Sequence, residues 1–425
     1  MTDATALATT NWAGNVTFSA EIAYPQTVAE VQDLVAGAKT VHAVGTGHSF
    51  TDVADTAGVL INLSAMPARC DVETDASGRV SATVSAGMTF ADLAPLLEAQ
   101  GYALHTMGSL PHISVAGACS TGTHGSGDRS PCLAAAVRAV QMVSATADVI
   151  TVDRSDPDFA GLLPGLGVHG IITSLTLDVQ SSFAVAQTVW QGIDTATGFM
   201  HFDAIMASAY SVSVFTTLDP QEFGDVWVKR RMDEAAPTLE AFGGLAADEP
   251  RRPVPGQEGE GCTVQGGIPG RWFERLPHFT PDVPPSSSGA ELQSEYYVTR
   301  ADGQAALRAL WQVDATVRGA MQICELRTLA ADGLWLSPAC AVAMLGIHFT
   351  WHADAGAAEA ACREVERVLE PFAPVPHWGK VSAMPADVVS ARYPRMAEAR
   401  ALARRWDPDN TFGNAFTDRY LRVGD

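Results

Sequence analysis

Gly45-Thr46-Gly47-His48-Ser49-Phe50 constrains this chain more than any other stretch. It follows Val41-His42-Ala43-Val44, a β-branched apolar run that reads as a short buried strand. Two glycines one residue apart let the backbone turn sharply and come close to a ligand. Consecutive amide N–H groups in such a turn form a concave seat for phosphate. His48 then sits at the lip of the turn, where an imidazole can reach a ligand ring. A lone Gly-x-Gly-His would favour the blander reading, a strand turn with a surface histidine. A second Gly-rich stretch, Ser114 to Gly127, shifts the balance. Two such loops in one N-terminal half point to one large phosphate-bearing ligand held along its length.

Helix and strand signals alternate around these loops. Thr27 followed by Glu30 is a capping-box pattern, and Val28, Val31 and Val35 give a helical stripe. Strands are expected over Gly58–Leu63, Arg79–Ser85 and Ile171–Val179, with a hairpin from Ala135–Val143 and Val149–Val152. Thr89 to Gln100 reads as a helix stopped by Gly101. The Pro-, Gly- and Glu-rich segments Glu234–Gly270 and Pro281–Gly289 read as surface excursions. Strands follow at Leu292–Val298, Gln322–Leu329 and Met344–Trp351, and helices at Gln304–Thr316, Gly356–Leu369 and Ala397–Arg405. At 425 residues the chain is long enough for two or three domains. The second half reads as a sheet with helices on one side.

Two of those strands carry chemistry. Glu325 and Arg327 are two apart, so both side chains leave one face, with Leu326 on the other. His348 and Thr350 repeat the spacing against apolar Ile347, Phe349 and Trp351. A polar face of Glu, Arg, His and Thr suits a molecule rich in hydroxyls, because its groups would stay unpaired with a substrate lacking them. For either pair alone, a solvated strand face with a Glu–Arg pair is the stronger alternative. Lys380, in His377-Trp378-Gly379-Lys380, is a third cluster that alone would be a surface lysine.

Other chemistries find little support. His348 and His352 are four apart on a strand, which brings no two rings onto one metal, so no metal is expected. Neither GxxxxGK nor GxSxG occurs, and the first Gly-rich turn lacks the third glycine of a dinucleotide fingerprint. A formal net charge of −21 disfavours nucleic acid and anionic membrane and fits a neutral substrate. No apolar run reaches membrane-span length, and Met1 to Asn15 lacks a signal-peptide pattern. Seven scattered cysteines without CxxC indicate no disulfide framework, so a reducing cytoplasm is expected.

The motifs in order resemble a known family. Gly45–Ser49, Ser109-Leu110-Pro111-His112-Ile113-Ser114-Val115-Ala116-Gly117 and Thr121-Gly122-Thr123-His124-Gly125 are similar to the FAD domain of the vanillyl-alcohol-oxidase-type flavoproteins. Cys324-Glu325-Leu326-Arg327-Thr328, Trp335-Leu336-Ser337-Pro338, His348-Phe349-Thr350-Trp351 and His377-Trp378-Gly379-Lys380 resemble the alditol (xylitol) oxidases of actinobacteria. The resemblance implies an α+β fold: a two-subdomain FAD-binding domain of the PCMH/VAO type, and an α+β cap with an antiparallel sheet. The expected division is 1–180 for FAD, 181–380 for the cap, with 234–270 as its excursion, and 381–425 returning to the FAD domain.

The resemblance also implies roles. His48 matches the histidine joined covalently to the flavin 8α-methyl. Ala43, Val44, Gly45, Thr46, Gly47, Ser49, Gly108, Ser109, Ser114, Gly117, Thr121, Gly122, Thr123, His124, Ile171, His377 and Asn414 would line the FAD. Ser109, Glu325, Arg327, Thr350 and Lys380 would bind a polyol, with Lys380, His348, Arg327 and Glu325 as catalytic candidates. Gly108 stands where an alditol oxidase carries alanine, near the flavin C4a in related flavoproteins, and the resemblance implies that a small residue there favours O₂ access. The implied reaction is oxidation of a terminal hydroxyl to the aldose with release of H₂O₂, by a monomer. A sugar-1,4-lactone oxidase or dehydrogenase shares the same fold and motifs. A flavin carrier or sugar-binding module without turnover would have no need to keep all of these residues together.

Overall fold

Three sheets organise the molecule. The computed structural model describes residues 9–257, 261–282 and 291–423. Most of the Pro281–Gly289 excursion therefore lies outside the described residues. A small parallel sheet orders Ile22–Ala23, Val59–Ile61 and Val41–Ala43. Beside it an antiparallel sheet runs Cys70–Thr74, Val80–Ser85, Ile171–Asp178, Val137–Val143 and Val149–Asp153. These are the two subdomains expected of the N-terminal half, and Val137–Val143 with Val149–Asp153 form the expected hairpin.

Local signals place the helices that hold these sheets. Thr27 Oγ1 accepts from Glu30 N and starts Val28–Gly37; Glu30 reaches back to Gln26 N, one residue beyond the cap. A reciprocal capping box between Thr89 and Asp92 starts Phe90–Ala99, and Gly101, at φ +83°, ends it. The second Gly-rich stretch, read as loop, opens with a short helix, Val115–Thr121, because Gly122 at φ +77° supplies a left-handed stop.

Among the described residues, the second half builds one nine-stranded antiparallel sheet. Its order is Leu245–Ala246, Ala184–Gln191, Asp225–Arg231, Ser211–Thr216, Met321–Leu329, Met344–His352, Glu291–Thr299 and Val375–Pro376. Pro269–Arg271 pairs with Ala184–Gln191 off that path. One face carries Leu326, Ile347, Phe349 and Trp351, packed on the helices Gly303–Leu310, Ala315–Ala320 and Ala355–Leu369. The single helix expected over Gln304–Thr316 is thus two helices, broken where Asp314 caps the second. Ala184–Gln191, Ser211–Thr216 and Asp225–Arg231 gave no sequence signal. They are almost fully buried, so the polar alternation that marks a half-exposed strand is weak.

The excursion 234–270 is not simply surface. Leu245–Ala246 and Pro269–Arg271 add to the edge of the sheet. Between them Thr263 and Gln265 are buried, and Pro253 and Val254 stand on a cavity wall. The C-terminal helices Met396–Trp406 and Ala415–Leu421 send Leu402 and Phe416 into the same apolar core as Val31 and Leu93 of the N-terminal half.

Candidate active site

The polar face of the large sheet looks into a cavity of about 800 Å³ that the first Gly-rich turn also lines. Strand register builds the polar wall. Glu325 pairs with His348, and His348 with Glu295, so three titratable side chains stand in one row across neighbouring strands. The next row is Ile323, Thr350 and Gln293. On the other side Arg327 pairs with Gly346, which pairs with Tyr297. Gly346 leaves a gap there: a Cβ at that position would lie 3.2 Å from Glu295 Oε1. Across it Arg327 Nη2 reaches Glu295 Oε1 at 2.6 Å.

Glu295 is the hub, and sequence reading did not single it out. It is 1% exposed. Its oxygens accept from Arg327, from Lys380 Nζ at 2.8 Å and pair with His124 Nε2 at 3.1 Å. Burial alone would raise its pKa, but Arg327, Lys380 and His124 together hold it well below the usual carboxylate range. Its signal was the phase of the strand: Gln293 and Glu295 alternate with apolar Leu292 and Tyr296.

Lys380 Nζ also lies 2.5 Å from His348 Nδ1. His348 Nε2 faces Thr350 Oγ1 at 3.3 Å. Burial, helped by Lys380, pushes His348 down to about 4, so its ring is neutral at pH 7. Burial also lowers the Lys380 pKa, against the pull of Glu295. Arg327 keeps its charge, raised by Glu295 and Glu325 over the opposing cost of burial. Ser109 Oγ lies 3.5 Å from Arg327 Nη1. Glu325 Oε1 accepts from His278 Nε2 at 2.9 Å; His278, like Glu295, went unnoticed in the sequence. The polar faces expected for the two strands are thus buried walls, not solvated ones.

The ring of His48, which lines the same cavity, stacks on Trp12, with centroids 5.6 Å apart and planes at 15°. Its Nδ1 is 2.9 Å from Thr46 Oγ1, and burial lowers its pKa to about 4. Gly45 packs so tightly on the second loop that a Cβ would fall 2.1 Å from Ser114 Oγ. Gly47 takes φ +70°. Among the described residues, the amides of Thr46, Gly47, His48 and Ser49 have no protein acceptor. Ala43, Val44, Gly108, Ser109, Ser114, Gly117, Thr121, Thr123, His124 and His377 line the same cavity.

Three expected cofactor residues lie elsewhere. Ile171 is fully buried in the core, and its strand neighbour Ile172 faces the cavity instead. Gly122 is the left-handed helix stop, packed near Pro164 and Pro338. Asn414 caps Ala415–Leu421 and donates to Val53 O and Asp55 O. His352 is exposed, and no metal-binding cluster occurs among the described residues. No helix among them is long and apolar enough to cross a membrane.

Comparison with known proteins gives consistent matches. A family described as FAD binding domain matches residues 19–153, and one described as D-arabinono-1,4-lactone oxidase matches 290–420. The chain is 43% identical over 413 residues to an alditol oxidase of Streptomyces sp., covering 96% of this chain and 98% of that one. It is 29% identical over 460 residues to an L-gulono-1,4-lactone dehydrogenase of Mycobacterium tuberculosis, covering 97% and 98%. Among solved structures, cholesterol oxidase from B. sterolicum superposes with a TM-score of 0.76 at 13% identity, covering 97% and 96%. At that identity the likeness speaks for the fold.

Proposed function

The chain belongs to the alditol oxidase family of FAD-binding, vanillyl-alcohol-oxidase-type oxidoreductases, and on that premise we propose that it oxidises the terminal CH₂OH of linear polyols, of the xylitol or sorbitol type, to the aldose. One observation carries the substrate class: the buried row Glu325–His348–Glu295, with Arg327, Thr350 and Lys380 beside it, facing a cavity shared with the Gly-rich turns. Such a wall offers alternating donors and acceptors, and its buried carboxylates stand against buried cations. That arrangement suits a neutral chain of hydroxyls.

The residues fit FAD. Among the described residues, four amides of the Thr46–Ser49 turn lack protein acceptors, and the Gly45–Ser114 contact leaves the two loops side by side. We assign the turn 45–49 and Gly108, Ser109, Ser114, Gly117, Thr121, Thr123 and His124 to FAD, with His48 as the covalent attachment. A neutral ring nitrogen with a free electron pair is what that bond needs, and the lowered pKa of His48 supports it. The chemistry FAD supplies when bound is acceptance of a hydride and return of the electrons to O₂ as H₂O₂.

Ser109, Glu325, Arg327 and Thr350 would hold the substrate hydroxyls. His348 and Lys380 act as one base. With Lys380 neutral, His348 carries its proton on Nδ1 and offers Nε2 to the substrate hydroxyl. As Nε2 takes that proton, Nδ1 passes its own across 2.5 Å to Lys380 Nζ. Glu295, 2.8 Å away, then stabilises the ammonium. The lowered Lys380 pKa makes the neutral starting form accessible.

We read residues 1–180 as the FAD-binding domain, 181–380 as the cap and 381–425 as a return segment, supported by Leu402 and Phe416 in the N-terminal core. The −21 charge argues against nucleic acid, and seven free cysteines suit a reducing cytoplasm. The chain is read as a monomer by likeness to its family.

The deciding experiment is H₂O₂ release in air from xylitol, sorbitol, mannitol, glycerol and two aldono-1,4-lactones. Peroxide from polyols alone is the expected result. Peroxide from lactones alone would establish the reading favoured by the match over 290–420.

A further inference from the structure

Lys229 is 1% exposed, on a strand between Gln187 and Ser211. A buried lysine is costly unless every proton is taken up. Here three acceptors meet three protons: Leu276 O at 2.5 Å, Pro277 O at 2.9 Å and His278 Nδ1 at 3.1 Å. An ammonium has no electron pair, so His278 Nδ1 must be the acceptor. The neutral ring then carries its proton on Nε2, which donates to Glu325 Oε1 at 2.9 Å. His278 is clamped edge-on by Phe215 and Trp227, with centroids 5.2 and 5.4 Å away. Its own N–H and that of Phe279 both donate to Ser109 O, at 3.1 and 3.3 Å.

We propose that Lys229 is a positioning residue for polyol binding, acting through His278: its ammonium locks the ring as the Nε2–H tautomer, which pins Glu325 Oε1 and leaves Oε2 for the substrate. This deepens the alditol oxidase reading and rests on it for the identity of the substrate. Lys229 does not line the cavity, and His278 lines it beside Glu325. Both govern how tightly the hydroxyl chain is held, so they act on KM more than on kcat.

A pH dependence follows. Burial pushes Lys229 down to about 7, while Glu325 pulls it up. The titratable and charged groups facing it are His278, Glu325, Arg327 and Cys262. His278 itself is pushed down to about 4 and stays neutral above that. As pH rises past about 7, Lys229 keeps two protons for three acceptors. The tautomer lock is lost, and a ring with its proton on Nδ1 would turn an electron pair toward the Glu325 carboxylate.

The test uses holoenzyme. In the wild type, KM for xylitol should rise about tenfold from about pH 6 to about pH 9, the worth of one charge-assisted hydrogen bond. His278→Gln keeps an N–H donor for Glu325 that has no tautomer, so its KM should lose that alkaline rise. Nitrogen NMR of the histidine rings, assigned with H278Q, reads the lock without turnover. The wild type at about pH 6 should show His278 protonated on Nε2, and K229M should show that signal mixed or moved to Nδ1. An unchanged His278 signal in K229M overturns the proposal. So does an H278Q profile that keeps the wild-type rise. If K229M does not fold, titration of the wild-type His278 signal across about pH 6–9 decides in its place, and an invariant tautomer overturns the lock. A wild type that neither releases peroxide nor bleaches with any polyol defeats the substrate reading, and the NMR result stands apart from it.

Discussion

Lys380 Nζ and His348 Nδ1 lie 2.5 Å apart, and one proton between them sets whether the pair can act as a base. Lys380→Met removes the acceptor for that proton and leaves the FAD loops untouched. Polyol turnover should fall at least 100-fold while the protein stays yellow, as expected for loss of a general base. Near-normal turnover of K380M would remove Lys380 from the mechanism.

Wild-type kcat should climb with pH through the Lys380 pKa, which lies below the ordinary 10.5. Lys380 must be neutral to start the relay, so the active form gains as the proton leaves. A pH–rate profile on xylitol with no ascending limb below pH 10.5 would contradict this.

Glu295→Gln leaves Arg327 and Lys380 facing each other with no carboxylate between them. Breaking a buried ion pair by removing one partner costs about 3–5 kcal/mol. The melting temperature of E295Q should drop accordingly, and a variant as stable as the wild type would show that Glu295 is not the hub.

Acid should unfold the protein early. His169, His278 and His348 have folded pKa values pushed down to about 4, against 6.5 in the unfolded chain. Below pH 6.5 the unfolded chain takes up protons that the folded one refuses, so stability falls as pH drops toward 4. Glu295 and Glu325, held low, lose their contribution in the same direction. Lys229 works on the other side: above about pH 7 its unfolded form keeps a proton the folded form sheds, which adds stability. Melting temperatures flat between pH 7 and pH 4 would contradict the histidine part.

His48→Ala should leave flavin that washes out on acid precipitation, while wild-type colour stays with the pellet. Colour retained in the H48A pellet would place the covalent bond elsewhere.

Much of this site was legible in the sequence, and the limits have physical causes. Alternation over Gln322–Leu329 and Met344–Trp351 gave the correct faces for Glu325, Arg327, His348 and Thr350, because one face of each strand packs on helices. The Gly-rich turn was legible because only glycine allows Gly45 so near Ser114. Glu295 had the right phase but no neighbouring motif to draw attention. Lys229 and His278 are 49 residues apart and meet only through the folded excursion, whose composition resembles an exposed loop. No local pattern encodes a contact of that kind. Asn414 and Gly122 stand near motifs, yet each serves a helix end and neither lines the cavity, which no local pattern distinguishes.

The period of two along the large sheet has a consequence for change over time. Positions 323, 325 and 327, with 348 and 350, meet the cavity, while 324, 326, 347 and 349 meet the helices. Substitutions at 325, 348 and 350 can retune which hydroxyls are recognised while leaving the helix-packed face as it is, whereas Arg327 is tied to Glu295 and Ile323 packs with Val189, Phe215 and Trp227. The sheet works as a keyboard: its keys face one way and its frame the other, so new substrates can be tried one key at a time.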